Sequence, residues 1–224
     1  ELNALHKVEL KKLDSENKTD VQISNEELNE ATNKPIGLFD KSYRKHSIVS
    51  MSLLFLMQLC GIGSIMQNLA SLMSEVGLDF DAGYQASIAI CAQLFSAFLS
   101  SILIDKYGMK ILWNLSTGGS SLSLLFYGLN VKFNWSRWLP MIFLFSFQFF
   151  FGIGMGTVPW IVPSFVYPQE IKPKAISFGT SINWFAATIV MFLFPYLQQW
   201  FGQFGLVLIL SIINLLGFFV GIFF

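Results

Sequence analysis

Apolar residues along this chain run in long unbroken blocks rather than in the alternating pattern of a half-buried strand. The blocks cover residues 46–73, 82–104, 111–131, 139–167, 175–197 and 202–224. Each has room for the roughly 20 residues, rising about 1.5 Å apiece, that carry a helix across a bilayer core about 30 Å thick. Barrel strands are far shorter and alternate apolar with polar positions, so the pattern predicts six spanning helices. Every Asp, Glu, Lys and Arg beyond residue 45 falls in the short connections at 75–81, 105–110, 132–137 and 169–174, and the last connection, 198–200, is polar but uncharged.

Residues 1–45 follow another pattern. They hold eight of the fourteen Lys and Arg residues and nine of the fourteen Asp and Glu residues, around a polar stretch from 14 to 33. Leu2, Leu5, Val8, Leu10 and Leu13 predict a short amphipathic helix, and 26–30 a second. The segment therefore reads as a charged linker with short helices. It lacks the basic start and apolar core of a signal peptide, and Glu1 in place of Met leads us to expect that the chain begins inside a longer protein.

Composition sharpens the membrane reading. The chain is 54% hydrophobic and 12% charged, with a mean hydropathy of +0.57, whereas soluble domains are about 25% charged. From 175 to 224, fifty consecutive residues include no Asp, Glu, Lys or Arg. No soluble surface could be built from such a stretch, so the expected solvent is lipid. The net charge is zero, which gives no electrostatic case for nucleic acid. Cys60 and Cys91 lie in apolar blocks and read as packing residues. His6 and His46 lack partners at metal-ligand spacing, so neither metal nor cofactor is expected. The segments 1–45, 105–110 and 169–174 hold twelve of the fourteen basic residues. With six crossings these segments share one side, which the Lys/Arg asymmetry makes cytoplasmic, together with both ends of the chain.

No acid, base or His lies deep within a block. Proton and ion relays use such groups, as does enzyme chemistry, so the pattern puts no titrating relay on this chain and argues against an enzyme. What the blocks hold is amides: Gln58, Gln67, Asn68, Gln93, Gln148, Asn183 and Asn214. Interhelical hydrogen bonding accounts for any one of them. Gln58, Gly61, Ile65 and Asn68, however, recur on one helix face, and Gly61 and Gly63 weaken the helix between the polar groups. Gln93, Ser96 and Ser100 share a face of the second block. The fourth block reads Gly152-Ile-Gly154-Met-Gly156-Thr-Val-Pro159-Trp160-Ile-Val-Pro163. Alternating glycines followed by two prolines predict a broken helix, tolerated at membrane depth only where it is buried in protein or lines a cavity. Such breaks point to a transport site, and Trp160 lies just past this one, with an indole that can stack on a ligand or anchor at the interface.

These residues resemble the sugar porters, the glucose-transporter-like branch of the major facilitator superfamily. Gln58-Leu-Cys-Gly-Ile-Gly63 is similar to the family's Gln-Gln-Leu-Ser-Gly-Ile-Asn of span seven. Asp105-Lys-Tyr-Gly-Met-Lys110, with Gly108 at its turn and Lys172 in the next cytoplasmic loop, resembles the acidic-Arg-X-Gly-Arg-Arg turn. Gly154 to Trp160, followed by Tyr167-Pro168, looks like span ten and its exit, and Asn183-Trp184 like a pair in span eleven. The resemblance implies an all-α membrane protein: the C-terminal half, spans seven to twelve, of a 3+3 inverted-repeat fold. Its partners would be the bilayer and an N-terminal six-span half. It also implies multi-pass residence, with the plasma membrane as the expected location, and alternating-access transport of a hexose-like sugar. Gln58, Gln93 and Asn183 would supply hydroxyl-binding amides, with Trp160 beneath the sugar. Gly61, Gly63, Asn68, Gly152, Gly154, Gly156, Pro159 and Pro163 would shape the gates.

The chain also departs from the family. Met57 and Gly63 replace two amides, and Gln67 and Asn68 replace a gating aromatic pair. Gly152 stands where some members have Glu, while Phe165 and Met109 replace charged members of a cytoplasmic latch. A non-transporting sugar sensor, a degenerate half-transporter or a carrier of a polyol are therefore the alternatives.

Overall fold

The computed structural model describes residues 41, 43–69, 72 and 81–223, all within the compact unit Leu38–Phe224. The linker expected over 1–45, apart from residues 41 and 43–45, and most of the 75–81 connection lie outside the described residues. Those described fold into α-helices alone: α1 (Arg44–Leu59), α2 (Ile62–Gln67), α3 (Ala82–Tyr107), α4 (Met109–Phe133), α5 (Leu139–Ile153), α6 (Val158–Val166) and α7 (Lys172–Phe223).

Local chemistry sets the ends of these helices. Asp81 caps α3 by accepting hydrogen bonds from the backbone N–H groups of Gly83 and Tyr84 at 2.8 and 3.3 Å, filling donors that a helix start leaves open. Gly108 joins α3 to α4 at φ 81°, ψ 161°, a conformation that only glycine adopts without strain. The first apolar block is not one helix, because Gly61 at φ 83° turns the chain between α1 and α2. Gly63, expected to loosen the helix too, lies inside α2 instead.

The last two blocks merge into α7, which has 52 residues with its helical geometry broken at Gly202 (φ 66°, ψ 175°). At about 1.5 Å per residue, an unbroken helix of this length would reach about 78 Å, more than twice a bilayer core. Gly202 divides it into arms 172–201 and 203–223, and Pro195 lies inside the first.

Contacts give the directions of the helices. Asn183 on the first arm meets Leu54 and Gln58, and Met191 meets Gln67, so this arm runs parallel to α1 and α2. Ser47 pairs with Tyr167, and Met66 with Gln148, so α5 and α6 run against α1. Gly152 of α5 packs on Ser96 of α3, and Thr157, just beyond α5, pairs with Ser100, which makes α3 parallel to α5. Successive runs therefore alternate in direction.

The second arm of α7 lies antiparallel to α4 along a seam of small residues. The Trp113 indole donates to the Gly217 carbonyl at 2.9 Å. Ser121 and Ser211 each donate to the other's backbone carbonyl at 2.8 Å. The Gln203 amide donates to the Tyr127 hydroxyl at 2.9 Å, and Lys110 Nζ to the Ile222 carbonyl at 2.8 Å. Close approach through Ser and Gly, with hydroxyls bonded across helices, is how helices associate without a hydrophobic drive. Among the described residues, four helical stretches are long and apolar enough to cross a membrane: Arg44–Gln67, Gly83–Tyr107, Leu139–Val166 and Lys172–Phe223. Helix α4 is not among them because its serines lower its hydropathy, yet Ser116, Ser120, Ser121 and Ser123 are all buried. The Trp113→Phe change keeps the bulk of the side chain and loses one hydrogen bond. It should cost about 1 kcal/mol, more if the Gly217 carbonyl stays unpaired, measured as thermal unfolding in detergent.

Candidate substrate site

Two interrupted helices face each other: α1–α2, broken at Gly61, and α5–α6, broken at Gly154–Thr157. At the first, the Gln58 side-chain amide donates to Asn183 Oδ1 at 3.0 Å, and Asn183 Nδ2 donates to the Leu54 carbonyl at 2.9 Å. A longer contact of 3.9 Å reaches Met57 Sδ. Asn183 is 1% exposed and has used both ends of its amide. Its structural role is to fix Gln58, which retains Oε1 and one N–H. Gly63 lies alongside: a Cβ there would come 3.8 Å from Gln58 Oε1 but only 2.9 Å from Met191 Cε.

The α5–α6 break falls where the glycines predicted it. Gly156 N–H reaches back five residues to the Phe151 carbonyl at 2.9 Å, and Val158 N–H bonds the Gly154 carbonyl at 2.8 Å. Broken backbone at membrane depth needs other partners, and hydroxyls supply them. Ser116 on α4 accepts from Met155 N–H at 2.9 Å and reaches the Phe151 carbonyl at 3.5 Å. The Thr157 hydroxyl pairs with Ser100 on α3 at 2.8 Å. Neither Ser116 nor Thr157 was among the expected site residues, since a lone hydroxyl in an apolar run gives no sequence signal until its partner is known.

The glycines are also contacts. A Cβ on Gly152 would collide with Ser96 Oγ and stand 2.7 Å from the Gln93 carbonyl oxygen, and one on Gly154 would collide with the Leu112 carbonyl. Helix α5 thus meets α3 and α4 backbone to backbone, which leaves no room for a side chain at 152. Gly156 is looser, with Phe151 Cε1 at 3.1 Å from a Cβ. Pro159 lies in the first turn of α6, where its missing N–H is harmless, and Pro163 lies within it. Trp160 is 37% exposed, with its indole left for a ligand or lipid, and Gln93 is half-buried. Asn68 ends α2 and bonds back to the Ser64 carbonyl at 2.9 Å.

At the other end of the bundle Asp105 is exposed, and no ion pair forms there among the described residues. Lys110 instead caps the end of α7, where cations and carbonyl partners are favoured. Lys172 opens α7. A cavity of about 480 Å³ lies far from these residues, between Tyr127, Asn130, Arg137 and Gln203. Two of its amides are engaged within its own walls, Gln203 with Tyr127 and Asn130 with Ser136, and it adjoins neither helix break, so the pairs at the two breaks are the better candidate.

Residues 3–224 match the family model described as "Sugar (and other) transporter". The chain belongs to the sugar transporter family. Its relatives include sugar transporter ERD6-like 16 of Arabidopsis thaliana, 32% identical over 207 residues, covering 88% of this chain and 42% of that protein. Facilitated trehalose transporter Tret1 of Bombyx mori is 29% identical over 160 residues, covering 68% of this chain and 32% of the relative. A crystal structure of a D-xylose-proton symporter superposes with a TM-score of 0.73 at 18% identity, over 90% of this chain and 46% of that one. The proton:xylose symporter XylE bound to 6-bromo-6-deoxy-D-glucose superposes at 0.70, with 20% identity, over 77% and 38%. This sugar transporter chain has the major facilitator fold, as its motifs led us to expect. It is an all-helical, multi-pass membrane protein that spans less than half the length of these relatives.

Proposed function

We propose that this chain forms six membrane crossings and is the C-terminal half of a sugar carrier, not an enzyme, which moves a hexose-like sugar by alternating access. The observation that carries the reading is the Gln58–Asn183 pair set beside two broken helices, in a chain of the sugar transporter family. Neutral amides both donate and accept, as sugar hydroxyls do. The similar proteins include a facilitated trehalose transporter and a xylose symporter, which supports a sugar of one or two rings. Gln58, Gln93 and Trp160 would contact the sugar, and Asn183 would hold Gln58. Gly61 and the Gly154–Pro163 segment would act as joints.

The large apolar side chains exposed on α3 (Leu94, Phe95, Phe98) and on α7 (Trp184, Phe185, Phe192) suit contact with lipid and with a six-span N-terminal half. The Lys/Arg asymmetry puts both ends on the cytoplasmic side, with the plasma membrane as the site of action. The test is uptake of labelled glucose, xylose and trehalose by the full-length carrier, in cells that lack hexose carriers of their own. Saturable uptake of at least one is expected, and none would overturn the reading. Sugar binding without uptake would instead favour a sensor, a reading that the exposed Phe165 and the unpaired Asp105 in the cytoplasmic motif support.

A further inference from the structure

A second amide at the meeting of the broken helices has no settled partner. Gln148 on α5 is 0% exposed. Its Nε2 donates to Met66 Sδ at 2.9 Å, and its Oε1 has no hydrogen-bond partner. A thioether is a weak acceptor, so the amide is buried with its hydrogen-bonding capacity mostly unused, an arrangement that ordinarily costs stability. Ser64, two residues before Met66, is 2% exposed and its hydroxyl too is unpartnered.

Met66 and Ser64 both lie on α2, six residues long and set off from α1 by the left-handed turn at Gly61. Gln58 Oε1 stands close to Gly63 at one side of α2, and Met66 covers Gln148 at another. Gln148 also shares a face of α5 with Gly152, one turn on, which packs against the Gln93 backbone. Buried polar atoms without partners are filled by water or by ligand, and Gln148 lies between α5 and α2, the two helices that the breaks at Gly154 and Gly61 set off.

We propose that Gln148 is a further sugar-recognising, specificity-determining amide, covered by Met66 in this conformation and uncovered when α2 shifts at Gly61. This rests on the carrier reading above. A hydroxyl then replaces the thioether: it donates to Oε1 and accepts from Nε2. The cover makes the contact conditional on α2 moving, so Gln148 separates substrates by the hydroxyl they present and couples that contact to opening.

The test uses the full-length carrier and measures KM for its best sugar and for the matching series of monodeoxy sugars. Gln148→Leu should raise KM about three- to tenfold, the size of one neutral hydrogen bond. It should also abolish the penalty for removing one particular hydroxyl and leave the melting temperature unchanged or higher. Met66→Ala, which removes the cover, should lower KM, and Gln148→Asn should restore part of the loss. A lower melting temperature with an unchanged KM and deoxy-sugar profile would mean a purely structural amide and overturn the inference. Should Gln148→Leu not fold, Gln148→Met and Met66→Ala read the same quantities. Gln58→Leu is the reference. If it raises KM while the Gln148 variants do not, only this inference fails. If the wild type takes up no sugar, or Gln58→Leu has no effect, the carrier reading fails with it.

Discussion

Gly154→Ala is expected to be among the most damaging single-methyl additions in this chain, lowering stability by about 2–3 kcal/mol. The added carbon meets the Leu112 carbonyl group and stands 2.7 Å from Ser116 Cβ. The carbonyl belongs to helix α4 and cannot rotate aside as a flexible side chain would. Overpacking of this kind costs about 1–3 kcal/mol or more. The entropic advantage of alanine over glycine in the unfolded chain, about 0.4–1 kcal/mol, offsets only a fraction of it. The shift of Ser116 would also disturb its bond to Met155 N–H, so the cost extends into the helix break. Gly128→Ala is the control: its added carbon would make only ordinary contacts, the nearest Phe204 Cδ2 at 3.5 Å, and in a helix interior alanine is favoured over glycine by about 0.5–1 kcal/mol. Thermal unfolding of both variants in the same detergent checks this. Equal losses would show that the α4–α5 contact is less close than described.

Gln58→Leu should act on both binding and folding. For the sugar, two hydrogen bonds of about 0.5–1.5 kcal/mol each are removed, which corresponds to a KM raised about tenfold. For the fold, Asn183 Oδ1 is left buried without its donor, at about 1–3 kcal/mol. Asn183→Leu alone should mimic the folding loss and part of the binding loss, because it frees Gln58 to turn. A double-mutant cycle separates the two, and a coupling near 1 kcal/mol is expected for groups in direct contact. Independent effects of the two changes would show that Asn183 does not position Gln58.

Much of the fold was legible because lipid imposes a coarse rule: apolar runs of spanning length, with charge confined to the turns. The break in the fourth block was legible for the same kind of reason, since glycine and proline alter the backbone whatever surrounds them. Partners were not legible. Asn183 reads as one more sugar-binding amide in the sequence, yet the structure gives its two amide ends to Gln58 and Leu54. Helix α4 carries five serines and threonines between Ser116 and Ser123, all of them buried, and looks only weakly apolar until the partners of Ser121 on α7 and of Ser116 at the α5–α6 break are seen. Gly202 was placed at the start of the sixth block, where it proves to be the corner of one long element, because the polar run before it, 198–200, continues as helix.

The seam between α4 and the second arm of α7 has a mechanical consequence. Its four ties, at Lys110, Trp113, Ser121 and Tyr127, are spread along the whole of α4. A slip by one turn would break all four together, so the two helices resist sliding and form a stiff spine. Against this spine, Gly61 packs on Leu210 and the Gly154–Thr157 turn on Leu112 and Ser116, and these breaks interrupt the helices that hold the amides. Deformation therefore concentrates in the interrupted helices while the spine they pack on keeps its shape, and a crosslink across the spine should be far better tolerated than one across either joint.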